Sequence, residues 1–307
     1  MKNILVIYFS QTGQAMLALN ATMKPFIENN NYQLHYHLIK PKNKFPYPWS
    51  YTEFFDAFPE TVNGLACELE MTSINKNVSY DLVVIAYQPW FLSICVPINS
   101  FLQSAEASEL LANKPVVTII NCRNMWLSAQ EKMKARLVAV NARLVGNITF
   151  VDKSANLVSL ITVLAFVLKG TKEKFMGLFP KYGVADSDLE KAPQFGTRIM
   201  QHLENNSLTN LQTDLNALGA LDIRPNLMLM EGRGSALFPL YANYISKKGT
   251  QGSEQRKMRV RIFGVVLPIV ILLASPIITI ISRLLPFLAK KKFDKEIAYY
   301  AQNTLRK

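Results

Sequence analysis

MKNILVIYFSQTGQ, residues 1–14, decides the fold of this chain. Residues 3–9 form an apolar run rich in Val, Ile, Tyr and Phe, which is typical of a strand buried on both faces. The run stops at the polar turn 10–14, and residues 15–27 then carry apolar side chains at helical spacing. A strand, a hydroxyl-rich turn and a helix N-terminus form an anion site, because backbone N–H groups and the helix dipole converge there.

The composition of the turn restricts the anion. Gly13 is its one glycine, so the Gly-x-Gly-x-x-Gly turn of dinucleotide sites is missing, and no lysine follows for a triphosphate loop. The turn resembles the Ser/Thr-x-Thr-Gly-x-Thr/Asn loop that holds the FMN phosphate in flavodoxin-like proteins, and departs from it at Ala15. The alternative is an ordinary strand-turn-helix connection. The resemblance implies phosphate contacts from Ser10, Gln11, Thr12, Gly13, Gln14 and Ala15.

The charge of the chain is unevenly distributed. From Lys247 onward there are 13 basic residues and three acidic ones, out of 34 and 22 in the 307-residue chain, so residues 1–246 hold 34 − 13 = 21 basic and 22 − 3 = 19 acidic residues. A nearly neutral main part argues against a nucleic-acid partner. A basic tail beside an apolar segment indicates an anionic membrane surface.

The cysteines and histidines predict neither disulfides nor a metal site. Cys67, Cys95 and Cys122 are widely spaced and odd in number, which is not the pattern of a disulfide framework or a metal pair. His35 and His37 alternate along a predicted strand without a third ligand, so we expect a solvated or half-buried strand face. The apolar run at the N-terminus is too short for a signal peptide, and a reducing cytoplasm is expected.

Strands and helices alternate along the first half of the chain. Apolar runs predict four further strands at 32–39, 81–87, 115–120 and 145–151, with helices at 97–102 and, capped by Ser128, at 130–142. Such alternation predicts a doubly wound five-stranded parallel sheet of the flavodoxin-like α/β class. Its ligand should lie at the carboxyl ends of the strands, at the topological switch point.

Two loops after the third and fourth strands should meet the phosphate turn at that point. The resemblance to flavodoxin-like proteins implies that they enclose the FMN ring, with Trp90 and Trp126 stacked on it. Alternatively, each tryptophan belongs to the core, and Arg123 lies on the surface. The aromatic connection 41–59 either simply packs on the domain or forms the wall of an apolar pocket. The other predicted contacts to the cofactor are Gln88, Pro89, Phe91, Asn121, Cys122 and Arg123.

The C-terminal third is harder to interpret. Residues 155–168 predict an apolar helix that covers the sheet or lies at an interface, and 183–203 predict an amphipathic helix with His202 at the surface. Residues 262–281 carry no charge and are flanked by basic residues, which predicts a membrane-spanning helix or a hairpin kinked at Pro268 and Pro276.

We therefore divide the chain into three parts. A flavodoxin-like FMN domain occupies residues 1–205, a connecting region 206–258, and a membrane-associated tail 259–307, with membrane contact through 259–292. No secondary structure is assigned to most of the connecting region.

This layout resembles the family named dialkylresorcinol condensing enzymes, most closely over MKNILVIYFSQTGQ. The resemblance implies a role in the biosynthesis of dialkylresorcinols and of flexirubin or aryl-polyene pigments, at the cytoplasmic face of the inner (plasma) membrane. The family name and the residues disagree, because condensation needs an activated cysteine with His or Asn partners and no cysteine here has a histidine nearby.

A flavin could perform the next step, oxidation of a dialkyl-cyclohexane-1,3-dione to the resorcinol. We therefore expect an FMN-dependent aromatase that acts on a lipophilic dialkyl ring substrate beside a ketosynthase-like partner protein. Tyr87, Tyr51 and Glu53 are the candidates for its base. The alternatives are a membrane-bound NAD(P)H:quinone reductase or flavodoxin-like electron carrier, and a non-catalytic membrane scaffold.

Overall fold

A computed structural model describes residues 1–71, 74–170 and 182–306, except for the side chains of 157, 275–279 and 282–288. Its centre is a five-stranded parallel sheet. The strands are β1 (Lys2–Tyr8), β2 (Tyr32–Leu38), β3 (Leu82–Tyr87), β4 (Pro115–Cys122) and β5 (Arg143–Val151). Their order in the sheet is β2-β1-β3-β4-β5, which is the flavodoxin-like order of a doubly wound sheet.

The helices fall on both faces of the sheet and continue into the C-terminal part. They are α1 (Gln14–Ile27), α2 (Tyr51–Asp56), α3 (Phe58–Asn63), α4 (Val96–Leu102), α5 (Ala105–Leu111), α6 (Leu127–Ala139), α7 (Asn156–Lys169), α8 (Asp186–Lys191), α9 (Pro193–Glu204), α10 (Leu211–Ala217), α11 (Pro225–Ser246), α12 (Lys257–Leu288) and α13 (Lys290–Tyr300). The predicted fold class and its five strands are confirmed, with small shifts at the strand ends.

The apolar strands contribute to two hydrophobic cores, one on each face of the sheet, because successive side chains point to opposite faces. Leu5 and Ile7 belong to a core that α4, α5 and α6 cover. Ile4 and Val6 belong to a second core, formed with α1, α9 and α10. Burial on both faces explains why these strands read as unbroken apolar runs.

Two predicted helices differ from the observed ones. Helix α6 begins at Leu127 after Trp126, and not after a Ser128 cap. The predicted helix at 183–203 is two helices, α8 and α9, with Pro193 opening the second. Proline fits the first turn of a helix, where its missing N–H would have no partner.

His202 is buried, contrary to the expected surface position. One ring nitrogen lies 2.9 Å from Oδ2 of Asp214, and the other lies 2.8 Å from the carbonyl oxygen of Ser207. The imidazole thereby links α9 to α10.

The predicted tail contains one long helix. Lys257–Leu288 is one helix without a break at Pro268, so the predicted hairpin is wrong; the side chain of Pro276 lies outside the described part. Among the residues that the structure describes, no helix is both long enough and apolar enough to cross a bilayer, and the predicted span is not found.

Candidate functional site

A cavity of about 530 Å³ lies at the carboxyl ends of β1, β3 and β4. The turn after β1, the loop after β3 and the end of β4 all reach it, as the strand order predicts. From these three segments the cavity is lined by Gln11, Thr12, Gln14, Ala15, Gln88, Pro89, Trp90, Phe91, Asn121, Cys122 and Arg123.

The opposite wall of the cavity is mostly apolar. Trp49, Phe54 and Phe55 bring the aromatic connection onto it, which agrees with its interpretation as a pocket wall. Helices α7, α11 and α12 supply the remainder. Their lining side chains include Leu160, Val163, Leu164, Phe166, Val167, Met230, Arg233, Leu237, Phe238, Tyr241, Phe263, Val266, Leu267, Pro268, Val270, Ile271 and Ala274.

The turn before α1 has the geometry of an anion site. Gly13 is in the left-handed region at φ 80°, and a Cβ built there would meet no heavy atom of the described residues within 4 Å. The first intrahelical bond runs from the N–H of Leu17 to the carbonyl of Gly13, so the N–H groups of residues 14–16 have no acceptor within the helix. The Ser10 hydroxyl is buried and has no hydrogen-bond partner among the described residues.

Neighbouring segments hold this turn in position. The Gln11 side-chain amide donates to the Pro46 carbonyl at 2.7 Å, and the Asn121 side-chain amide donates to the Gln14 carbonyl at 3.2 Å. Gly13 and Ser10 themselves line no part of the cavity, but Gly13 lies between Thr12 and Gln14, and Ser10 directly precedes Gln11, all three of which line it. The turn therefore presents donors from a fixed backbone and leaves one hydroxyl unpaired.

The two tryptophans of the predicted ring site lie in different places. Trp90 lines the cavity and packs edge-on against Trp49, with ring centroids 5.6 Å apart. Trp126 is buried in the core, and its indole N–H donates to the Asp222 carbonyl at 2.9 Å. The expected enclosure of a ring between both indoles is therefore corrected: Trp126 fixes the loop after β4, and of these two tryptophans it is Trp90 that lines the cavity.

Arg123 and Tyr182 form the polar end of the cavity. Arg123 is half-buried, contrary to the surface alternative, and donates to the Asn156 carbonyl at 2.9 Å. Burial lowers its pKa, but a guanidinium keeps its proton at neutral pH. Burial raises the pKa of Tyr182, whose ring stacks on Phe166 with centroids 4.6 Å apart. A neutral phenol and a guanidinium cation therefore lie at the same end of the cavity. No local sequence pattern predicts that Tyr182 belongs to the site.

None of the three candidate bases lines the cavity. Tyr87 is fully buried beneath it, donates to Gln130 at 2.9 Å, and has a pKa raised well above its ordinary value by burial. The Tyr51 hydroxyl donates to the Gly264 carbonyl at 2.6 Å. The Glu53 carboxylate accepts from the N–H of Ser50 in the capping box of α2. The structure argues against each of them as the base.

The cysteines are not activated nucleophiles. Burial raises the pKa of Cys95 to about 12 and also raises that of Cys122, which lines the cavity. The pKa of Cys67 is raised too. A reactive thiol needs a lowered pKa. In the described part of the chain, no group of three His, Cys, Asp or Glu residues could hold a metal ion.

A buried carboxylate behind the cavity was not predicted. Oε1 of Glu231, on α11, accepts from the N–H of Ser128 at 2.6 Å and so caps α6 from a distant segment. Burial raises its pKa to about 7. The partners are 103 positions apart in the chain, so no local pattern could have revealed the contact.

The chain is only distantly similar to known proteins. No protein-family model matches its sequence, and no curated protein does. A flavoprotein from Lactobacillus acidophilus, solved in complex with FMN, is 16% identical with a TM-score of 0.40, over 48% of this chain and 93% of that one. A putative flavoprotein from Bacteroides uniformis is 16% identical with a TM-score of 0.37, over 56% and 99%.

A flavodoxin from the domain Archaea is 11% identical with a TM-score of 0.37, over 66% of this chain and 99% of that one. Likenesses at this level say nothing of ligand or activity. The strand order, the crossover helices and the position of the cavity carry the conclusion that this chain has a flavodoxin-like α/β fold.

Proposed function

We propose that this chain is an FMN-dependent oxidoreductase that oxidises a dialkyl-cyclohexane-1,3-dione to a dialkylresorcinol. One observation carries the proposal: a single cavity joins an anion-binding turn to a large apolar compartment. A phosphate-bearing cofactor and a lipophilic ring substrate are the pair of ligands that such a cavity suits.

The residues of the turn fit the terminal phosphate of FMN. The N–H groups at the start of α1 and the Ser10 hydroxyl are donors without a described protein acceptor, and open space lies beside Gly13. A phosphate would satisfy these donors and interact favourably with the helix dipole. When bound, FMN would supply the capacity to accept a hydride.

The residues at the polar end fit the oxygens of the ring substrate. Aromatisation removes two hydrogen atoms from the dione, one as a proton and one as a hydride. The proton leaves from a ring carbon beside one carbonyl, and the hydride leaves from the next ring carbon to the cofactor. A nearby cation favours the enolate that forms when this proton leaves. Arg123 and Arg233 both line the cavity and are the cations for this task, while Tyr182 can donate a hydrogen bond to a ring oxygen. In the described part of the lining there is no carboxylate, so the proposal assigns no acidic residue there as the base.

The apolar wall suits the two alkyl chains. Phe238 and Leu267 lie on the side formed by α11 and α12, where they exclude water from the reacting ring. The raised thiol pKa values argue that the preceding carbon–carbon condensation takes place elsewhere. We therefore also propose a ketosynthase-like partner that supplies the dione.

The test is an anaerobic single turnover with FMN-loaded protein and a dialkyl-cyclohexane-1,3-dione. We expect loss of the oxidised flavin absorbance together with one resorcinol per FMN. The matching dialkylcyclohexanone, which forms no stabilised enolate, should leave the absorbance unchanged. No bleaching and no resorcinol with the dione would contradict the proposal.

The same protein can be tested for the alternatives. Rapid reduction of bound FMN by NADPH, followed by reoxidation with a quinone and without dione oxidation, would assign a quinone reductase. Failure to bind FMN would favour a non-catalytic scaffold.

A further inference from the structure

The mouth of the cavity can be located from side chains that both line it and contact solvent. Leu237 and Tyr241 on α11, and Val266 and Val270 on α12, line the cavity and are 52%, 46%, 38% and 51% exposed. Four exposed apolar or aromatic side chains therefore frame the entrance.

Further exposed apolar side chains surround this entrance. Together with the four mouth residues they form a surface that we call the apolar collar. Its outer members are Leu240 and Tyr244 on α11, and Ile262, Ile269, Leu272 and Leu273 on α12. Leu240 and Leu273 are 65% and 67% exposed, and a contiguous surface of this kind marks an interaction site.

Helix α12 is tied to the domain on both of its flanks. At its start, Arg256 is fully buried and bonded to Asp56 and Glu60, and Phe263 packs on Phe58 with ring centroids 4.0 Å apart. Beyond its end, the Tyr299 hydroxyl in α13 donates to Glu131 on α6. Because both flanks are tied to the same domain, the outer face of α12 forms one side of the collar.

Basic residues lie on both sides of the apolar stretch of α12. Lys247, Lys248 and Arg261 precede or open the apolar stretch, and Lys290, Lys291 and Lys292 follow it; all six are exposed. Each basic residue near an anionic bilayer contributes roughly 1 kcal/mol of attraction. In a symmetric dimer, these charges would face copies of themselves, and like charges across an interface are unfavourable.

We infer that the collar docks the chain on the surface of an anionic lipid bilayer, with α12 in the plane of the headgroups and the cavity mouth opening into lipid. Amphipathic helices with an apolar face and basic flanks bind in this way. Docking does not depend on FMN. The further point, that the ring substrate enters directly from the bilayer, rests on the proposed function.

Flotation of the full-length protein with lipid vesicles tests the docking. We expect binding to vesicles of phosphatidylcholine and phosphatidylglycerol, weaker binding to phosphatidylcholine alone, and weakening by salt. Leu240→Gln combined with Leu273→Gln should weaken binding about tenfold or more, because two side chains no longer enter lipid. Neither leucine lines the cavity. Val138→Gln is the matched control, since Val138 is 62% exposed on α6, and it should bind as the wild type does.

Three results would overturn the inference. The first is that the wild-type protein does not bind anionic vesicles. The second is that the double variant binds them as tightly as the wild type does. The third is that the wild type binds no vesicles but forms a stable dimer in light scattering, and that the double variant does not form this dimer. The last would assign the collar to a second copy. FMN content, measured on each variant by absorbance without vesicles, separates failure of docking from failure of the proposed function.

Discussion

The buried guanidinium of Arg256 donates to Oδ1 of Asp56 at 2.6 Å, although 200 positions separate the two residues in the chain. Arg256 also donates to Glu60 at 2.7 Å and to the Gly249 carbonyl at 3.2 Å. These bonds join the segment before α12 to the aromatic wall formed by α2 and α3. The C-terminal helices therefore complete the cavity and are not an independent appendage to it.

Arg256→Met should destabilise the protein strongly. Removing one member of a buried ion pair costs about 3–5 kcal/mol, because the remaining charges lose their partner. Chemical denaturation measures the loss. Lys257→Met is the control: its pair with Glu254 is exposed, so a change below about 1 kcal/mol is expected. Equal effects of the two substitutions would contradict the structural role of Arg256.

Ser10→Ala should separate ligand binding from stability. The Ser10 hydroxyl is buried and has no hydrogen-bond partner in the described part of the chain, so its removal should change the unfolding free energy of the FMN-free protein by less than about 1 kcal/mol. A hydrogen bond to a charged phosphate contributes roughly 1.5–3 kcal/mol, so FMN should bind about tenfold to a hundredfold more weakly. Ser246→Ala, which removes another buried unpaired hydroxyl, should leave FMN affinity unchanged. Unchanged affinity in Ser10→Ala would remove that residue from the site.

Gly13→Val and Gly219→Val form a matched pair. Both glycines have left-handed φ values, 80° and 78°, and a Cβ at either would meet nothing within 4 Å. Both substitutions should therefore cost about 1–2 kcal/mol of stability through backbone strain. Only Gly13→Val should lower FMN affinity, by about tenfold or more, because its side chain would enter the phosphate space. Titration of flavin fluorescence measures this; equal affinities in the two variants would contradict the assignment.

Glu231 should make stability depend on pH. Its folded-state pKa, about 7, lies above its ordinary value of 4.5, so the folded protein holds a proton that the unfolded chain releases. The contribution of Glu231 to stability is therefore fully present below about pH 4.5 and is lost as pH rises through about 7, by an amount on the order of 3 kcal/mol. Glu231→Gln keeps an oxygen acceptor for the N–H of Ser128, and it should remove this decrease of the unfolding free energy with pH. The unfolding free energy of both proteins should be measured from about pH 4.5 to pH 7. The same dependence on pH in both would show that Glu231 does not titrate in this way.

Gly234→Leu should restrict the cavity to diones with shorter alkyl chains. A Cβ at Gly234 would lie 2.9 Å from Cδ1 of Leu92, the end of a flexible side chain, and both residues line the cavity. We expect KM to rise for long-chain diones while short-chain diones are affected little. Gly232→Leu, at an exposed glycine with open space around it, should change neither. An equal rise for all chain lengths would contradict a chain-binding role for this wall.

The parts of the fold that follow from local patterns were predictable. The unbroken apolar runs of β1, β3 and β4 identify buried parallel strands, and their order along the chain places the following loops at one edge. The sequence pattern therefore predicts that Thr12, Trp90 and Arg123 lie close together, and all three line the cavity.

Contacts between distant segments were not predictable. Trp126 follows β4 as the resemblance requires, but its indole turns into the core because the Asp222 carbonyl offers an acceptor there. The wall formed by α11 and the pairing of Arg256 with Asp56 depend on segments far apart in the chain. An apolar run of twenty residues likewise cannot distinguish a helix in a membrane from one lying against an aromatic wall.

The most direct test of the central claim compares the affinities of FMN and riboflavin for the wild-type protein. Riboflavin carries the same ring without the phosphate, so the difference isolates the turn before α1. Two or three hydrogen bonds to a charged phosphate predict that FMN binds about a hundredfold more tightly or better. Equal affinities, or no binding of either flavin, would contradict the account.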